Sequence, residues 1–300
     1  MERREFVANT TLTALSASRA LGANERVGLA VIGCGGRCNY VARFMLQAPG
    51  AEVRAVCDVF DERAEKTRQQ LTGGKAPSFK DFRKVLELKE VDAVLVATPD
   101  HWHAIPTVLA CQAGKDVYVE KPFSLTVREG RKMVEAAERH QRILMAGTQH
   151  RSSPHIAEAA ALVQNGYIGD VHFVRSWNSR NLSPNRIPKL PDADPPAGLD
   201  WDFYLGPTPK VPFNPSRYFG YRQFSAFSGG YITDFGNHRI DTIHQIMRVT
   251  APRTIAASGA KLLHQNAGDV PDLLQVTYEY PSFILDYVAC CVNSHGLGGR

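Results

Sequence analysis

Residues 27–44 read VGLAVIGCGGRCNYVARF, and this stretch decides the fold. Val27, Leu29, Val31 and Ile32 make a short apolar run of the kind that forms a strand buried in a parallel sheet. Gly33-Cys34-Gly35-Gly36-Arg37-Cys38 follows at once, and Val41, Phe44 and Met45 then recur at helical spacing. Strand, glycine turn and helix, in that order, form a cradle for a dinucleotide. The first glycine permits the tight turn and the second lets the backbone approach a pyrophosphate. The helix N-terminus then offers free N–H groups and the positive end of its dipole. Cys38 stands where a third glycine or alanine is usual, which predicts a slightly looser helix–strand contact rather than loss of the site.

A second apolar run, Glu52 to Cys57, ends in Asp58. It lies about 20 positions beyond the last residue of the glycine loop, where an acid accepts hydrogen bonds from the adenosine ribose and repels a 2′-phosphate. NAD is therefore expected over NADP. The alternation continues with a helix from Asp61, an all-apolar strand at Ala93 to Ala97, a helix from Ile105 closed by Gly114, and a strand at Val117 to Val119. Thr126 with Glu129 three residues on predicts a capping box opening a helix that runs to His140. A last strand, Ile143 to Ala146, completes a Rossmann-type, doubly wound parallel sheet over residues 25–150.

After Gln149-His150-Arg151 the pattern changes, and residues 151–300 read as a second, substrate and oligomerisation domain. A helix from His155 and a strand from Val171 precede a proline-rich span, Pro184 to Pro215, expected to be a long irregular loop. A helix ending at Met247 is followed by strands at Thr254 to Lys261, Leu273 to Tyr280 and Phe283 to Val292. Short turns such as Tyr280-Pro281-Ser282-Phe283 predict an α+β domain with a mostly antiparallel, open sheet.

Composition sets the limits. At 300 residues, 44% hydrophobic and 22% charged, the chain has ample core. Its net charge of +5 comes without long basic runs, so nucleic acid is not an expected partner. No apolar stretch reaches the roughly 18 residues of a membrane helix. The six cysteines include no CxxC pair and read as reduced, mostly buried thiols. No metal is expected at His101, His103 or His150, because no cysteine or carboxylate stands at a supporting spacing. Residues 1–24 begin Met-Glu-Arg-Arg-Glu-Phe-Val and resemble a twin-arginine leader, the alternative being a frayed arm. The first reading predicts a periplasmic protein and the second a cytoplasmic one.

Two groups carry chemistry. Lys121, between a strand end and Pro122, stands at the carboxyl edge of the sheet, where an ammonium can hold a substrate hydroxyl or alkoxide. Asp234, His238 and Asp241 fall at i, i+4 and i+7 of one helix and so share a face. An imidazole held by a carboxylate can take the proton of a secondary alcohol while the carbon gives up hydride. Gln149, Arg151, Trp177, Arg180, Trp201 and Tyr204 are candidates to line a sugar pocket or, equally, a polar and aromatic domain interface.

With Gly33-x-Gly-Gly, Thr98-Pro99, His103, Glu120-Lys121-Pro122 and the Gly229–Asp241 series, the chain resembles the glucose-fructose oxidoreductase, inositol dehydrogenase and MocA family. The resemblance implies an oxidoreductase using NAD or, less so, NADP on sugars, polyols or related hydroxy compounds, and a homo-oligomer built through the C-terminal sheet. It implies Lys121 as catalytic lysine, Asp234 with His238 as acid–base pair, and Thr98, Pro99, His103 and Glu120 around the cofactor. It also implies a cis Lys121–Pro122 bond. Two alternatives accompany it: a glycoside hydrolase that uses NAD transiently, and an inactive cofactor-binding fragment. The second arises because Gly299-Arg300 follows soon after a strand, where relatives continue with more strands.

Overall fold

The computed structural model describes residues 26–180 and 187–292; the leader expected over residues 1–24 lies outside the described residues. The glycine loop leaves the carboxyl end of β1 (Val27–Ile32). The strands that follow are β2 (Ala51–Cys57), β3 (Ser78–Phe79), β4 (Ala93–Val96), β5 (Asp116–Val119) and β6 (Leu144–Ala146). They lie in the order β3–β2–β1–β4–β5–β6, every pair parallel. The chain reverses its direction of winding between β1 and β4, and that switch point opens a crevice above the strand ends.

Helices α1 (Gly36–Met45), α2 (Asp61–Thr72), α3 (Phe82–Leu86), α4 (Ala104–Gln112) and α5 (Val127–His140) cover the sheet. Leu29 and Val31 point into one core with Val41 and Ala42, whereas Ala30 and Ile32 point into the other with Val94, Val96 and Met133. Burial on both faces is why β1 is apolar throughout. Cys38 is fully buried in the first of these cores. The capping box of α5 is present, with Glu129 N donating to Thr126 Oγ1 and Thr126 N donating to Glu129 Oε2. Lys121–Pro122 is cis. All six cysteines are free and buried.

The second half holds α6 (Pro154–Gln164), β7 (Phe173–Ser179), α7 (Trp201–Leu205), α8 (Pro215–Phe219), a π-helical turn (Ile232–Gly236) and α9 (Asn237–Met247). Strands β8 (Thr254–Ala260), β9 (Leu273–Glu279) and β10 (Ile284–Cys290) complete a sheet ordered β7–β10–β9–β8. The β8–β9 and β9–β10 pairs are antiparallel, the latter through a short turn, but β10 pairs with β7 in parallel. More than a hundred residues separate β7 from β10, so no hairpin dictates their direction. Ile240, Ile243 and Met247 of α9 cover one face of this sheet through Val174, Tyr278 and Leu285. The row Phe173, Ile284, Glu279, Thr254 faces the other way and is open to solvent, with Phe173 54% and Ile284 45% exposed.

The proline-rich span is less irregular than expected. Asp200 caps α7 by accepting from Phe203 N. Trp201, Tyr204 and Leu205 then enter a core with Phe213, Tyr218, Phe224 and Phe227. This aromatic cluster returns to the first sheet: Trp102 Nε1 donates to the Tyr204 carbonyl (2.8 Å), and Asp200 N donates to the Val59 carbonyl (2.9 Å). Among the described residues no helix is long and apolar enough to cross a membrane.

Candidate active site

The carboxyl ends of β1, β2, β4 and β5 deliver Gly33, Asp58, Thr98 and Glu120 to one crevice. Gly33 has φ +89°, and a Cβ there would lie 2.7 Å from Thr98 N. No side chain fits. Gly35 and Gly36 differ, since a Cβ on either meets nothing within 4 Å. Gly35 caps α1 without a side-chain bond, and no acid stands in the first turn. The first N–H groups of α1 and its dipole therefore face the crevice uncompensated by side-chain charge.

The crevice is a cavity of about 890 Å³ whose walls include Gly33, Cys34, Gly35, Gly36, Arg37, Asp58, Thr98, Pro99 and Glu120. Tyr204, Tyr218, Gln149 and His238 close the opposite side. Asp58 Oδ2 accepts from Cys34 N (2.6 Å) and Oδ1 from Phe60 N (2.9 Å). The acid expected to meet a ribose thus also braces the loop, and each oxygen keeps a lone pair for a hydroxyl. Burial pushes its carboxyl above the usual range, against the two backbone donors. Arg37 Nη2 bridges to Glu120 Oε1 at 2.8 Å, tying the loop to the end of β5. The Thr98, Tyr204 and Tyr218 hydroxyls are buried without partners on these walls. A donor-lined anion cradle, an acid at the end of β2 and unpartnered hydroxyls fit a dinucleotide. His103 is placed differently from the expectation: it lies beneath the floor, with Nδ1 2.6 Å from the Pro122 carbonyl and Nε2 3.0 Å from that of Thr98.

At the far end stands Lys121. Its Nζ donates to Asp234 Oδ1 (2.5 Å) and to the Asp234 carbonyl (2.6 Å). Arg222 Nε reaches the same Oδ1 at 3.3 Å. The Lys121 and Asp234 side chains are only 13% and 16% exposed, so this pair is shielded from water. His238 lines the same cavity, stacks on His150 with ring centres 4.6 Å apart, and leaves Nδ1 buried without a partner. Burial first, then the Lys121 ammonium and the His150 ring, pull His238 down to about 4, against the attraction of Asp234.

The expected Asp234–His238 hydrogen bond is replaced by the Asp234–Lys121 bond. The i, i+4 spacing assumes an α-helix, but Asp234 sits in the π-helical turn, whose i→i+5 bonding turns its side chain off the His238 face. Arg151 and Asp241 pair with each other (2.7 Å) and line a further opening that Lys121 also borders but Gln149 does not. Trp201 is buried in the aromatic core, its indole N–H on the Val211 carbonyl, and Trp177 does not line the crevice.

A second cavity, about 560 Å³, adjoins the first at Lys121, Phe219 and Arg222. Arg180, Tyr231, Asp234, Phe235, His264 and Asn266 line it further out. Sequence reasoning missed Arg222 and His264. Arg222 lies in a single turn, Tyr221–Gln223, and His264 in a loop, so neither belongs to a periodic pattern.

Residues 27–148 match the model of an oxidoreductase family with an NAD-binding Rossmann fold, and residues 177–286 match its C-terminal alpha/beta domain. An uncharacterized oxidoreductase of Streptococcus pneumoniae is 27% identical over 252 residues, covering 83% of this chain and 58% of the relative. Levoglucosan dehydrogenase of Pseudarthrobacter phenanthrenivorans is 24% identical over 298 residues, covering 91% and 69%. A solved structure of levoglucosan dehydrogenase in complex with NADH superposes with a TM-score of 0.70 at 20% identity, covering 90% of this chain and 68% of that one. The chain thus spans between 58% and 69% of the length of these proteins.

Proposed function

Since the chain belongs to the glucose-fructose oxidoreductase, inositol dehydrogenase and MocA family of NAD-binding oxidoreductases, we propose that it oxidises a hydroxyl group of a sugar, polyol or related compound, or reduces the matching ketone. The observation that carries this reading is the shielded Lys121 ammonium at the junction of the two cavities, beside an unpartnered imidazole nitrogen.

NAD, when bound, supplies the hydride acceptor or donor. The loop from Gly33 to Arg37 and the start of α1 would hold its pyrophosphate, Asp58 its adenosine ribose, and Thr98 a further polar contact. Lys121 Nζ donates a hydrogen bond to the substrate oxygen and stabilises the alkoxide as charge develops. Asp234 holds that ammonium in place and balances its charge. The His238 imidazole takes the hydroxyl proton, and the depressed basicity of the ring keeps it neutral across the neutral pH range.

The test follows net NADH by absorbance when the protein is given NAD and a panel of hexoses, inositols and anhydrosugars. Net NADH that grows with substrate supports a dehydrogenase. Cleavage of a glycoside with no net NADH would replace this reading with the hydrolytic one, and failure to bind NAD would remove both. The exposed row of Phe173 and Ile284 further supports a homo-oligomer that covers this sheet face. Light scattering should then give at least twice the chain mass, and a monomer would refute it.

A further inference from the structure

The smaller cavity carries an excess of positive charge. Lys121, Arg180 and Arg222 line it, and Asp234 is its single carboxylate among the described residues. Asp234 already serves both Lys121 (2.5 Å) and Arg222 (3.3 Å). Arg180 has no carboxylate partner among the described residues, and its guanidinium lies over the Phe235 ring, 5.0 Å from the centroid. His264, only 6% exposed, adds a buried Nε2 with no hydrogen-bond partner to the same wall. Arg180 is exposed and Arg222 half-exposed, so water solvates these cations, but an uncharged sugar would leave the Arg180 fork without an anionic partner and the charge excess unmatched.

Building on the dehydrogenase reading, we propose that the substrate is a sugar acid whose carboxylate binds Arg180. The planar guanidinium fork matches a carboxylate with two parallel hydrogen bonds. Lys121 Nζ and Arg180 Cζ both approach the Phe235 ring, at 5.8 and 5.0 Å from its centroid, so the two cations border the same ring in this cavity. His264 Nε2 supplies a further polar contact, so the acid would be read by two groups from different loops.

The experiment is calorimetric titration of the NADH-loaded full chain with gluco-, galacto- and manno-configured hexuronates, the parent hexoses and the hexose 6-phosphates. At least one uronate should bind about 10-fold or more tighter than its parent hexose, the preference should shrink with added salt, and Arg180→Gln should abolish it while NADH still binds. Equal affinity for uronates and hexoses would overturn the proposal and leave the dehydrogenase reading standing. Preference for the phosphates over the uronates would overturn the carboxylate assignment. A protein that fails to load NADH would overturn the dehydrogenase reading and this proposal with it.

Discussion

Replacing Gly33 and Gly35 by alanine, one at a time, separates what the backbone demands of the loop from what a bound dinucleotide demands. At Gly33 the methyl meets two penalties. The left-handed φ of +89° costs an L-residue about 1–2 kcal/mol. A Cβ 2.7 Å from Thr98 N and 2.8 Å from the Ala97 carbonyl forces backbone to move, which adds about 1–3 kcal/mol. The sum, about 2–5 kcal/mol, is a large share of the about 5–15 kcal/mol that holds a domain together. Melting without cofactor should therefore fall on the order of 10 °C. Gly35 has φ −74°, already allowed for alanine, and no heavy atom within 4 Å of the new methyl. Its variant should keep its stability within about 0.5 kcal/mol. The methyl enters the space a pyrophosphate needs, however, so NAD affinity should drop about 10-fold or more, roughly 1.4 kcal/mol. Thermal melts and NAD titrations of both variants give four numbers. An unchanged melt for Gly33→Ala would refute the strain argument, and unchanged NAD affinity for Gly35→Ala would refute the loop as the phosphate cradle.

Burial holds His101, like His238, down at about 4, whereas both protonate near pH ~6.5 when unfolded. The unfolded chain then binds more protons between these values, so stability should fall as pH drops from about 6.5 to 4. Urea midpoints across that range check it, and a flat profile counts against it. For the same reason the acid limb of kcat/KM should lie clearly below the ordinary histidine range, and a limb near pH ~6.5 would remove His238 as the base. Lys121→Met should lower kcat by about 100-fold or more with NAD affinity kept, because the ammonium serves the developing alkoxide. Glu120→Gln should cost about 1–3 kcal/mol in a chemical melt, since it removes the charged partner of Arg37 at a site with little solvent.

The first half of the chain was legible because its signals are local. A buried strand needs an apolar run, a tight turn needs glycine at φ +89°, and a capping box needs Thr126 and Glu129 three apart. Asp58 was placed by its spacing from the glycine loop and Lys121 by its position just past a strand end, both of which are local features. The meeting of side chains from distant segments was another matter. Asp234 belongs to Lys121 rather than His238 because a π-helical turn shifts its side chain, and π-bonding leaves no periodic mark in sequence. The proline-rich span folds around Trp201 and Tyr204 because the first sheet offers Trp102 and the Val59 carbonyl to dock against. The parallel β7–β10 pair and the cationic wall of Arg180, Arg222 and His264 likewise exist only once segments far apart in the second half are packed together. Local backbone chemistry wrote the cofactor loop into the sequence, whereas the substrate pocket is made of long-range contacts whose register only burial in the folded chain can set.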